Sequence, residues 1–149
     1  MPLPELTIGL VVRYEYLWAR RTTAQDTSAL ALVTADKEHP ACIVATFRRE
    51  GKPDDFVVYL PISHSPPGPN EEGIELTAHA KSAAGLDAAR QWVLVSECNI
   101  DAWPFDVRQL PRQPGVFHYG HLPPATFRDI RDRFAARHRA KHVRQVSRS

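Results

Sequence analysis

The chain has 149 residues, 43% apolar and 24% charged, with a net charge of +2; this length suits one compact domain, and this balance argues against wholesale disorder. Two cysteines without paired spacing argue against a zinc finger or a disulfide scaffold, and no apolar run is long enough to span a bilayer. The N-terminus, with Pro2, Pro4 and Glu5, lacks the basic and apolar regions of a secretory signal, so a cytoplasmic, membrane-free protein with reduced cysteines is expected.

Thirteen prolines predict many short elements joined by stiff turns. Residues 7–16 are β-branched and aromatic, with Arg13 and Glu15 opposite Val12 and Tyr14, and read as the first strand. Residues 17–38 contain Arg20, Arg21 and Ala29-Leu-Ala-Leu-Val33, and are compatible with a strand, a short helix or a long loop. His39-Pro40 opens a buried strand over 41–47, since proline is tolerated at a strand's first position and holds the preceding residue extended. A polar turn over 48–55 returns the chain along 56–62, which makes an antiparallel hairpin.

Pro66, Pro67, Gly68, Pro69 and Asn70 form a stiff surface loop before a short alternating strand at 73–77. Residues 78–89 have helical composition interrupted by Gly85, and residues 92–98 read as one strand that the chain leaves through Asp101 and Pro104. After a turn-rich stretch and a short element at 116–119, Pro123-Pro124 starts a helix that fades near His138. Its apolar positions Phe127, Ile130 and Phe134 recur at the spacing of one stripe docked on a sheet. From Arg128 onward eight Lys or Arg residues face only Asp129 and Asp132, so this end attracts polyanions while the remainder is net acidic.

These elements predict a mainly β protein with α, of the α+β class: a small, partly open barrel of antiparallel strands closed by a C-terminal amphipathic helix. Residues 1–138 are expected to form one domain and residues 139–149 a flexible basic tail. A glycine-rich phosphate loop, His-Glu-x-x-His, Cys-x-x-Cys and Gly-x-Ser-x-Gly are all missing from the sequence, which argues against nucleotide-hydrolysing, zinc-dependent and α/β-hydrolase chemistry. His79, His118 and His121 lack partners at metal-ligand spacing, so neither a metal nor a cofactor is expected. The chemically richest stretch is the end of the second hairpin strand, where an apolar run stops in Ser63-His64-Ser65 and two prolines. Hydroxyls and an imidazole on a rigid rim suit a phosphodiester.

The order of these pieces resembles the PemK/MazF-like toxins of bacterial toxin–antitoxin pairs. The likeness is carried by Gly9-Leu-Val-Val-Arg13, by His39-Pro-Ala-Cys-Ile-Val-Ala45, by Leu60-Pro-Ile-Ser-His-Ser65, and by Gly85-Leu86-Asp87 followed by the strand from Trp92 and by Gly120-His-Leu122. The resemblance implies an SH3-like barrel, a homodimer, and often a metal-independent endoribonuclease that cleaves single-stranded messenger RNA and is neutralised by an antitoxin protein. The chain departs from the family where His39 replaces the arginine of Arg-Pro and Ser63 replaces a threonine. A serine keeps the hydroxyl, whereas a histidine exchanges a permanent, bidentate cation for a titratable group.

Metal-free RNA cleavage needs a base for the ribose 2′-hydroxyl, a cation for the phosphorane and an acid for the leaving oxygen. His39 and His64 are the acid–base candidates, with Ser63 grouped among the catalytic residues. Arg13, Arg20 or Arg21 would supply the cation, Ser63 and Ser65 would orient the phosphate, and Trp18, beside Arg20 and Arg21, is the best candidate for base stacking. Each has a structural role to set against this: turn capping for the serines, an exposed turn position for His39, an outward strand charge for Arg13, and packing for Trp18. Two other functions compete, a non-cleaving module on the same barrel that holds an antitoxin or a topoisomerase, and a general nucleic-acid binder driven by the basic tail.

Overall fold

A computed structural model describes residues 6–19, 39–104, 107–108, 110, 113, 116 and 118–147. Most of the segment 17–38, including Arg20 and Arg21, lies outside the described residues. The strands are β1 (Leu10–Tyr14), β2 (His39–Arg48), β3 (Asp55–Ser63), β4 (Gly73–Glu75), β5 (Trp92–Leu94), β6 (Glu97–Ala102), β7 (Val107–Arg108), β8 (His118–His121) and β9 (Arg144–Ser147). Among the described residues two helices interrupt them, α1 (Ala78–Ala83) and α2 (Pro124–Arg139).

The fold is α+β, a mainly antiparallel sheet with one long helix. The sheet runs β4-β5-β3-β2-β1-β7, with β8 also on β1, β6 on β3, and β9 parallel to β6. It is open: among the described residues no ladder joins β7 or β8 to β6 or β9, so the expected barrel is not closed by strand pairing. No helix among the described residues is long and apolar enough to cross a membrane.

Three sequence expectations change here. The strand expected over 92–98 is two strands, because β5 and β6 both pair with β3 but out of step: Ser63 faces Trp92 while Tyr59 faces Asn99. The break at Val95 and Ser96 receives other chain segments, since the Val95 N–H donates to the Glu72 carbonyl and the Ser96 carbonyl accepts from the Arg144 N–H. Residues 99–102, expected to leave the sheet, are its β6, and residues 144–147, expected in a flexible tail, pair in register with Glu97–Ile100 as β9.

Both faces of the sheet are buried, which gives β1, β3 and β6 near-continuous burial in place of the alternation of a half-solvated sheet. One face carries Val11, Cys42, Val58, Leu60 and Ile62 against Ala80 and Ala84 of the α1 region and Phe127 and Ile130 of α2. Proline at N1 starts α2 with its φ already set, and Phe127, Ile130 and Phe134 form its docking stripe. The other face carries Val12, Tyr14, Ile43, Val57, Tyr59, Trp92 and Leu94, with Tyr16 and Trp18 laid over them. Tyr14 and Tyr59 stack with centroids 3.9 Å apart.

A buried polar row on β6 holds this second layer. Glu97, Asn99 and Asp101 point to the same side at alternate positions and are almost wholly buried. The Tyr14 hydroxyl donates to Asp101 Oδ2 at 2.9 Å, the Tyr16 hydroxyl to Glu97 Oε1 at 3.2 Å, and the Ala19 N–H to the same oxygen at 2.8 Å. Asn99 clamps a peptide from both sides, accepting from the Leu17 N–H and donating to the Leu17 carbonyl, each at 2.8 Å. Burial, and then the Glu97 charge, hold the Tyr16 phenol well above its ordinary pKa, so it stays a donor.

Asn99→Ala leaves two buried backbone groups without partners and should cost about 3 kcal/mol, read from the urea midpoint at unchanged slope; a loss below about 1 kcal/mol would mean that residues 17–19 are held by something else.

The two free cysteines, Cys42 and Cys98, are buried, and their thiols are pushed up to about 12 from an ordinary 9.0 by burial, with the Glu97 charge adding to the effect at Cys98. A thiol raised in the folded state contributes stability that is whole below the unfolded value and lost as pH climbs through the window from 9.0 to about 12. Native protein at pH 8 should therefore resist iodoacetamide at both cysteines and react in urea; labelling of the native chain at the rate of a free thiol would contradict this.

Candidate functional site at the end of the third strand

One end of the sheet gathers the ends of β1 and β3 and the start of β2. Tyr14 is paired with His39, and Arg13 with Pro40. The β2–β3 register, which pairs Ala41 with Pro61, continued two residues sets His39 opposite Ser63. Directly opposed residues of an antiparallel ladder share a face, and neighbours along a strand do not. Tyr14, His39 and Ser63 therefore lie on the face of the second core, and Arg13, Pro40 and Ile62 on the helix-covered face.

Side-chain contacts agree with this division. The His39 ring meets Trp18 edge to face, with centroids 5.7 Å apart, and Ser63 pairs with Trp92; both tryptophans belong to the second core. Ser63 is buried, and its hydroxyl donates to the Ser65 carbonyl and accepts from the Ser65 N–H, each at 2.9 Å. That is a turn cap at a strand exit. Ser65 is exposed. Trp18, 3% exposed, presents no open ring face for a base. Of the expected set, His39 and Ser63 thus share the face of the second core.

His64 leaves the strand toward the helix-covered side, where it meets a residue to which the sequence analysis gave no role. Its Nε2 lies 3.3 Å from Asp87 Oδ2 and 3.4 Å from Oδ1, with side-chain exposures of 48% and 63%. Asp87 is fixed from behind. Its Oδ1 accepts from the Ala89 N–H and from Gln91 Nε2, both at 3.0 Å, and Gln91 is itself buried. The Lys81 ammonium, also buried, donates to the Ala88 and Ala89 carbonyls at 3.0 Å each and holds the same turn from inside. A cavity of about 280 Å³ lined by Lys81, Ser82, Leu86 and Asp87 opens beside the pair.

Gly85 sets where Asp87 stands. It closes α1 with φ +74°, its N–H donating to Ser82 and the Leu86 N–H to Lys81, a Schellman-type end. A Cβ on Gly85 would lie 2.4 Å from the Tyr119 carbonyl oxygen, so the turn is pressed directly onto β8. The sequence signal for Asp87 was Gly85-Leu-Asp after a short helix, a helix end followed by an Asx-type turn; nothing in the sequence said that His64 would face it.

Acid–base exchange is the chemistry this arrangement offers. A carboxylate at Nε2 favours the tautomer with its proton there and leaves Nδ1 as the basic atom toward solvent. Arg13 shares the face of Ile62, two strands away, about 10 Å at the usual strand spacing. Arg13 also neighbours Arg108 across the β1–β7 ladder, and Arg108 pairs with Glu15. Among the described residues no three of His, Cys, Asp or Glu converge as a metal site.

Comparison with protein-family models, with curated proteins and with solved structures gave no match. Function has to be read from this chain's own residues.

Gly85→Ala forces both a left-handed alanine and a clash with Tyr119, and should cost about 2 kcal/mol or more, read from the thermal or urea midpoint; a variant as stable as the parent would show that the turn is not pinned to β8.

Proposed function

We propose that this chain is a toxin-like growth inhibitor of the PemK/MazF kind and a metal-independent endoribonuclease acting on single-stranded RNA, with the His64–Asp87 pair as its acid–base group. The observation that carries this reading is an exposed imidazole 3.3 Å from an anchored carboxylate at a strand exit, in one of the four segments that carry the family resemblance. His64 Nδ1 takes the proton of the ribose 2′-hydroxyl, and that oxygen attacks the adjacent phosphorus. The P–O5′ bond breaks, leaving a 2′,3′-cyclic phosphate; the departing oxygen takes a proton from solvent water, and His64 returns its own proton to solvent. Asp87 steadies the imidazolium, and Arg13 supplies positive charge to the phosphorane.

In this reading His39 and Ser63 support the fold and stay out of the reaction, because they lie on the opposite face. An SH3-like barrel left open on one side belongs to this reading as well. A homodimer, an antitoxin partner and a cytoplasmic setting belong to the same proposal.

A second reading is favoured by one specific observation. The Ser63 hydroxyl is tied to Ser65, and the family's arginine is His39 on the far face, which suits a barrel-like module that engages a protein partner without cleaving RNA.

Defined single-stranded RNA incubated with the protein in excess chelator separates the two. Cleavage by the parent chain should fall about 10²–10⁴-fold in His64→Ala, fall less in Asp87→Asn, and stay near the parent rate in His39→Ala. Undiminished cleavage by His64→Ala would remove the proposed acid–base role. An inert parent chain would leave the non-cleaving module.

A further inference from the structure

We propose that the cavity between α2 and the sheet is a binding site for an amphipathic anion, a medium-chain carboxylate whose tail enters the fold and whose head meets the last turns of α2. This site is separate from the His64 site and does not depend on the function proposed for it.

The cavity has a structural cause. In the β2–β3 ladder Ile43 pairs with Tyr59 and Ala45 with Val58, which leaves Val44 as an extra residue. This bulge turns Val44 and Ala45 toward the same core, and a bulge bends its strand. The docking stripe of α2 is buried at Phe127 and Ile130 but only partly at Phe134, so the helix is less deeply covered toward its C-terminal end. The space left has a volume of about 410 Å³, with a floor of Val44, Ala45, Val58, Ile100 and Phe134. Cys98 adds no charge to the floor, since its thiol is held protonated.

The rim supplies the chemistry. Arg131, His138 and Arg139 line the opening, and no carboxylate does. Arg139 has no acidic partner among the described residues, whereas Arg131 is shared with Asp132 at 3.3 Å. The His138 ring packs at 6.0 Å from Phe134, at the boundary between rim and floor. An apolar pocket of this size with few convergent charges is the usual form of a small-molecule site. The volume accommodates roughly a dozen non-hydrogen groups at about 30 Å³ each, the size of a carboxylate with about eight to ten carbons. A neutral tail alone would leave the cations unused, and a polyanion has no use for the apolar floor.

Calorimetric titration with decanoate, below its micelle concentration, tests this against decanol and against two variants. Decanoate should bind one per chain, at least about tenfold more tightly than decanol. Ala135→Phe, on the helix and only half-buried, should fill the cavity and weaken binding about tenfold or more. Arg139→Glu should weaken decanoate similarly while leaving decanol unchanged. Equal binding of decanoate and decanol, or undiminished decanoate binding by either variant, overturns the proposal. So does a change of solution mass in Ala135→Phe, measured by light scattering, which would assign this face to contact between copies of the chain.

Discussion

The desolvated polar row of β6 is the constraint on which the rest of this structure depends. Two carboxylates and an amide buried on one strand face must find donors and acceptors, because the alternative is several uncompensated groups in a medium that solvates them poorly. Those partners come from the last residue of β1 and the chain just after it: the hydroxyls of Tyr14 and Tyr16 and the backbone of Leu17 and Ala19. Meeting that demand draws residues 14–19 across the sheet, covers Tyr59 and Leu94, and buries Trp18. An open ladder thereby acquires a second covered face without a strand to close it.

The same sheet acts as a partition. Residues adjacent in sequence at its end belong to different environments: Ser63 is in a cap beside Trp92, whereas His64 is in solvent against Asp87. Position along a strand fixes proximity, but the face decides which side chains can act on one substrate atom. The anchoring of Asp87 by Ala89, Gln91 and the Lys81-braced turn matters for the same reason, since an exposed ion pair contributes little to stability, whereas a carboxylate held in one orientation can direct an imidazole.

The cavity under α2 and the His64–Asp87 pair lie on the same helix-covered side. Val58 and His64 are six positions apart along the β3 direction, roughly 20 Å at the usual rise. The bulge at Val44 and the Schellman end at Gly85 are both small backbone irregularities, and each determines where side chains stand several residues away. At the first the register of β2 against β3 shifts by one residue; at the second a turn is pressed onto β8 closely enough to exclude any side chain.

Local physical chemistry made much of this molecule legible from its sequence. The β-branched runs marked β1, β2 and β3, the polar stretch between β2 and β3 marked their hairpin, Gly85 marked the end of α1, and Pro124 with Phe127, Ile130 and Phe134 marked α2. Each is set by φ restriction or by the period of apolar residues within a few positions. Tertiary structure decided what those signals do not contain. The alternation Glu97, Asn99, Asp101 is visible in the sequence and normally means a solvated face; only the crossing of residues 14–19 buries it. The split of β5 from β6 depends on register against β3, and β9 depends on an edge that β6 leaves available. The pairing of His64 with Asp87, 23 positions away, and the separation of His39 and Ser63 from it follow from which face each strand residue takes. That choice is made by the packing of the whole sheet, and no window of sequence records it.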